Sequence, residues 1–205
     1  MAGRLRTAPR KRPRQERSQA TVDAILDATA RVLCSTGYDR CSTNRVAAAA
    51  GVSVGSLYQY FPSKEALVAA LAERHVTEMT SVVRAKLAEV ADAPIPVAVR
   101  TMIGAMFEAH MVDPRLHKVL IEQVPRVGRL ENLRKVESET EGLVALLLER
   151  RKADVRKSPV DAMAFVLVHV VEAVTHAAVI AEFDAARTRE AAEELTHLVL
   201  RYLLP

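Results

Sequence analysis

The sequence predicts an all-α chain of about nine helices, a three-helix head carrying a helix-turn-helix followed by a C-terminal helical bundle. Three observations carry this. Half of the 205 residues are hydrophobic but only 4% are aromatic, and seven are glycine. That composition builds a core from Ala, Val and Leu and suits helices better than sheets. Apolar residues recur at helical spacing, without the two-residue alternation of strands. Prolines and glycines fall between the periodic segments, where helices must end.

Taken in order, residues 1–18 come first. Arg4, Arg6, Arg10, Lys11, Arg12, Arg14 and Arg17 face a single acid, Glu16. With two prolines and no apolar period, this arm is predicted to be disordered alone. Two readings stand: a solubilising or expression-derived leader, or a cationic arm that touches phosphates or enters a minor groove. From Ser18 to Thr36, Val22, Ile25, Leu26, Thr29, Val32 and Leu33 form one buried helical stripe, closed by Gly37.

Residues 43–61, TNRVAAAAGVSVGSLYQYF, have the grammar of a helix-turn-helix. Thr43 to Ala50 makes a short helix, with Ala47 small where two helices cross closely. Gly51 can take the left-handed conformation that the turn needs. Ser53 opens a second helix to Tyr60. Val52 and Leu57 should bury, leaving Ser53, Ser56, Gln59 and both tyrosines facing outward. So short a helix cannot hold itself together in water and must ride on a larger core. Ser63 is a plausible N-cap for a helix running from Lys64 to about Val90, and Ala91-Asp92-Ala93-Pro94 reads as a linker.

The surrounding residues carry a resemblance. TGY at 36–38, CSTNRVA at 41–47 and LYQYFPSKEAL at 57–67 make the chain similar to the TetR/AcrR family of bacterial transcriptional repressors over about residues 19–70. Beyond that the likeness is only in being helical and of the right length. Cys41 departs from the family, which more often has threonine there. The resemblance implies a DNA-binding domain at 19–66 and a helical ligand-binding and dimerisation domain at 67–205. It also implies DNA contacts from Thr43, Asn44, Ser53, Val54, Ser56, Tyr58, Gln59, Tyr60 and Lys64. The chemistry of these side chains agrees. Thr43 and Ser53 begin helices, whose N-termini favour phosphates. Tyr58, Tyr60 and Lys64 offer hydroxyls and a charge to the same backbone. Val54 suits a thymine methyl, Ser56 a base edge and Gln59 a bidentate adenine contact, while Gly55 lets the backbone approach. Asn44 either reads bases or solvates its helix. Tyr58 and Tyr60 could instead be part of the core, as Phe61 should be.

Behind the linker, Ile95–Val112, Pro114–Val124, Arg129–Ala153, Pro159–Phe183 and Thr188–Leu203 read as helices. The one at 159–183 is apolar nearly all round and should be buried on most sides. His169, Glu172 and His176 form a polar stripe on it. They could line a ligand cavity, sit at a subunit interface, or bind a metal, although two turns of one helix seldom supply a whole metal site. Met102, Met106, Phe107, Leu147 and Phe165 are either ordinary core or, together, the walls of a pocket for variable apolar ligands.

Several classes are disfavoured. There is no Gly-rich phosphate loop, nucleophile elbow or His-Glu-x-x-His motif, so neither an enzyme nor a cofactor is expected. Glu172 and Glu182 interrupt the longest apolar run before the ~18 residues of a membrane span. Cys34 and Cys41 cannot make a framework of bridges, which points to the reducing cytoplasm; a redox pair between them is a minor reading. Together with these exclusions, the resemblance implies a homodimeric repressor released from a palindromic double-stranded DNA operator by a small apolar effector. The alternative is an architectural DNA-binding protein without an inducer.

Overall fold

The structure is a computed structural model that describes residues 16–90, 92–124 and 130–205. Among these, α1 (Glu16–Arg40), α2 (Thr43–Ala50), α3 (Val54–Tyr60), α4 (Lys64–Val90), α5 (Ile95–His110), α6 (Pro114–Glu122), α7 (Leu130–Arg150), α8 (Val160–Ile180) and α9 (Ala185–Leu203) follow one another without a strand. The basic arm, apart from its last residues, lies outside the described residues, as does Ala91 of the expected linker.

Two compact units result, Met1–Val76 with Arg115–Leu130 and Thr77–Pro114 with Glu131–Pro205. The division differs from the expected boundary at residue 66. In the first unit, Ile25, Leu33, Val46, Leu57, Phe61, Leu67 and Leu71 form the core, and Leu116 and Leu120 of α6 complete it. Helix α6 thus packs with the head because its apolar stripe has its partners there. Thr29 is wholly buried and satisfies its hydroxyl on the Ile25 carbonyl at 2.7 Å. Gly37, at φ 75° and ψ 170°, breaks the helical path of α1 three residues before the run ends at Arg40.

In the second unit, Ile103 and Phe107 of α5 meet Met163, Ala164, Leu167 and Ala178 of α8 and Leu195, Val199 and Leu203 of α9. Helix α9 starts three residues earlier than the sequence reading. Asp184 caps it, accepting from the backbone N–H groups of Ala186 and Arg187 at 2.9 and 2.8 Å. Two expectations are corrected. Helix α8 is long and apolar enough to cross a membrane by length and composition, because Glu172 interrupts its apolar run without lowering its mean hydropathy enough. It packs against α5 and α9, yet only 33% of its most apolar window is buried within the chain, so the expected burial on most sides is not met.

Candidate nucleic-acid interface

The two short helices of the head are held by backbone geometry more than by propensity. Ser42 caps α2, its hydroxyl accepting from the Arg45 N–H at 3.4 Å. At the other end Gly51 adopts φ 68° and ψ 26°. Its N–H donates to the Ala48 carbonyl at 3.3 Å, and the Val52 N–H donates to that of Ala47 at 3.0 Å. These two bonds close a Schellman turn, which needs a residue that tolerates positive φ at the Gly51 position. The chain leaves it directly into α3. There the Ser53 hydroxyl accepts from the Ser56 N–H at 3.0 Å and shares a second bond with the Ser56 hydroxyl at 2.8 Å. Leu57 and Phe61 anchor the helix, at 0% and 2% exposure.

Anchored on that side, α3 presents the other. Val54, Gly55, Tyr58 and Gln59 are exposed, and Asn44 is exposed on α2. The hydroxyls of Thr43 and Tyr58 lie 3.1 Å apart and tie the start of α2 to α3. Not every expected contact residue stands equally free. Ser56 is half-buried and engaged with Ser53, and Tyr60 is half-buried against the core, as is Val52, which was expected to bury fully. The Lys64 ammonium donates to the Tyr38 carbonyl at 3.1 Å and sits 4.1 Å above the Tyr38 ring. Burial, with Glu65 adding to it, raises the Tyr38 hydroxyl above its ordinary pKa.

Three supporting residues escape sequence reasoning. Arg31 donates to the Ala49 carbonyl at 3.1 Å and so braces the end of α2. Tyr38 receives Lys64, and its own N–H donates to Gln123 Oε1 at 3.2 Å. These partners are 18 to 85 residues apart, so no periodicity links them.

The second unit rearranges the expected polar stripe. His169 stacks on Phe165, with ring centroids 4.2 Å apart, and lies 3.8 Å from Glu141. His176 instead faces Glu172 at 3.9 Å and the ring of His110, from α5, at 5.0 Å. The stripe is therefore two groups. Of the pocket candidates, Phe107 is core, Met102, Met106 and Leu147 are half-buried, and Phe165 is 52% exposed. A groove of about 900 Å³ opens along α8 and α9, lined by Val174, Ala191, Leu195, Leu198 and Leu200. The cysteines face different surroundings. Cys34 is exposed, whereas Cys41 is buried and burial raises its thiol pKa against the opposing pull of Lys64 and Arg45.

Comparison with known proteins accords with this geometry. A family model of bacterial regulatory proteins, tetR family, matches residues 25–71, and one of the tetracyclin repressor-like C-terminal domain matches residues 94–203. The nucleoid occlusion factor SlmA of Haemophilus ducreyi is 32% identical over 106 residues, 52% of this chain and 50% of its own. The chain thus spans about half the length of the curated relatives it matches. Two solved structures share the fold. The fatty acid degradation regulator FadR from Bacillus halodurans has a TM-score of 0.72 at 17% identity, covering 93% of this chain and 96% of its own. The SmeT–triclosan complex has a TM-score of 0.69 at 20% identity, covering 91% and 93%.

Proposed function

Since the chain belongs to the tetR family of bacterial regulatory proteins, and is thus a DNA-binding transcriptional regulator, we propose that it is a homodimeric repressor released from a roughly palindromic operator by a small apolar molecule. The observation that carries the DNA reading is the exposed face of α3. Val54, Tyr58 and Gln59 project from a helix whose opposite side and both ends are fixed. Such a helix can enter a major groove without first being ordered. Gly55, Ser56 and Tyr60 lie on the same helix, Ser53 caps it, and Thr43, Asn44 and Lys64 come from the flanking helices α2 and α4; of these, Lys64 would have to reach phosphate from its seat on Tyr38.

The dimer reading rests on α8 and α9. Only 33% of the most apolar window of α8 is buried within one chain, and Leu198 on α9 is 53% exposed beside the open groove. A second copy presenting the same two helices would cover this surface on both partners, as a two-fold interface does. Effector control is supported by the apolar side chains of Met102, Met106 and Leu147, which are only half-buried, and by the likeness of fold to a protein solved with triclosan. Differential affinity of the effector for the two states, worth ~1–3 kcal/mol, would suffice to empty an operator.

A second reading is favoured by one observation, the similarity to nucleoid occlusion factors. In it the chain is an architectural DNA-binding protein without an inducer. Footprinting on the DNA flanking its own gene separates the two. The repressor reading expects one protected, near-symmetric site, lost when an apolar ligand that raises the melting temperature is added. Diffuse protection without a discrete site would favour the architectural reading instead.

A further inference from the structure

In the head, one hydrogen bond joins the end of α6 to the turn that leads into α2. The turn starts at Gly37, where the helical path of α1 breaks at φ 75° and ψ 170°. Its far end is held by buried Cys41, whose N–H donates to the carbonyls of Gly37 and Tyr38 at 3.1 and 3.2 Å. Its near end is held by Gln123, whose Oε1 accepts from the Tyr38 N–H at 3.2 Å. A backbone N–H can only donate, so the amide must face it with its oxygen. The approach depends on Gly37, because a Cβ there would lie 2.8 Å from that oxygen. Gln123 is itself held. Its N–H donates to the Val119 carbonyl at 3.0 Å, and Leu116 and Leu120 set α6 in the core of the head.

Between these two fixed ends Tyr38 makes the seat of Lys64. Its carbonyl accepts from the ammonium at 3.1 Å, and the ammonium stands 4.1 Å from the centre of its ring. A lysine ammonium has three donors, so one given to Tyr38 leaves two for a phosphate beside the start of α4. We propose that Gln123 is a positioning residue for DNA binding, which fixes Tyr38 and through it holds Lys64 where it meets a phosphate. The proposal rests on the reading of Lys64 as a phosphate ligand and adds to it a residue of α6. A free lysine has rotamer freedom to lose on binding, whereas a seated one has lost it already. Ordering one such side chain is worth roughly two- to ten-fold in affinity. Without Gln123 the Tyr38 N–H turns to water, the seat loosens and Lys64 must be ordered by the DNA itself.

A random-sequence DNA duplex is a sufficient probe, because phosphate contacts carry no sequence information. Full-length parent, Q123M, K64M and the double variant are titrated with it at several salt concentrations, with helical content checked by circular dichroism. Gln123 is exposed, so its replacement leaves the core intact, and methionine keeps the length of glutamine while removing the acceptor. K64M should bind more weakly and lower the slope of log affinity against log salt by up to ~0.9 per subunit. Q123M should weaken binding roughly two- to ten-fold per subunit. It should add no further loss to K64M, since it acts through that side chain. If Q123M binds like the parent while K64M is impaired, or if its loss is the same in both backgrounds, the proposal is overturned and the phosphate role of Lys64 stands. K64M with the parent's affinity and slope would overturn both.

Discussion

Gly37 and Gly51 both take positive φ, yet their surroundings differ, and this gives a prediction with a rank order. A Cβ at Gly51 meets nothing within 4 Å, so Gly51→Ala pays only the left-handed backbone cost of roughly 1–2 kcal/mol. At Gly37 the backbone lies in a region that only glycine populates readily, and a Cβ would fall 2.8 Å from Gln123 Oε1. Gly37→Ala should therefore lower the midpoint of chemical denaturation more than Gly51→Ala; the reverse order would mean that the turn at Gly51 is strained beyond its φ. The thiols give a second test at this scale. In native protein a maleimide should label exposed Cys34 quickly and spare Cys41, whose thiol is buried and held protonated. Equal labelling rates would revive the redox pair. The Gly51 turn was legible because αL demands glycine and the following Ser53 is a capping residue. The Lys64–Tyr38 contact was not, since nothing in either residue's sequence neighbourhood requires the other.

At the scale of elements, helix existence was legible from periodicity and helix ends were less so. Helix α4 begins at Lys64 as read, because Ser63 accepts from the Ala66 N–H at 3.2 Å. Helix α9 starts early because Asp184, read only as part of a break, is a cap; Asp184→Ala should cost about 1 kcal/mol in denaturant titration. The stripe on α8 shows the limit of single-helix reasoning. Spacing puts His169, Glu172 and His176 on a shared face, but only packing reveals that His110 arrives beside His176 while His169 turns away. The same elements carry the test of the dimer. Val170 packs against the core, so Val170→Arg would confuse unfolding with dissociation, whereas Leu198 is 53% exposed in the single chain. Leu198→Arg should leave helical content intact and yield monomers by light scattering at micromolar concentration. A variant that stays dimeric would remove α9 from the interface.

At the scale of the whole molecule, charge is partitioned in a way that the fold does not reveal. The seven cations of residues 1–18 against Glu16 give +6, so a chain of net +4 leaves about −2 for everything else. Residues 19–72 contain four acids and four bases and are neutral, so the head gains nothing from bulk electrostatics as it approaches DNA. Base contacts from α3 can specify a site, but a neutral head has little to supply the sequence-independent attraction that dominates affinity. The arm is the part of the chain with charge to do so. Each phosphate neutralised adds about 0.9 to the slope of log affinity against log salt. If three or four of the seven cations engage, deletion of residues 2–14 should reduce that slope by roughly three per subunit. Discrimination between operators should change less than affinity, because phosphate contacts carry no sequence information. The complementary variant, Gln59→Ala, should do the opposite, costing ~1–3 kcal/mol on the operator with the salt slope unchanged. Salt titrations of the parent, the truncation and the point variant on one operator and on random DNA measure all of this together. Identical slopes for the parent and the truncation would make the arm a bystander and return the attraction to Lys64 and the helix N-termini of the head.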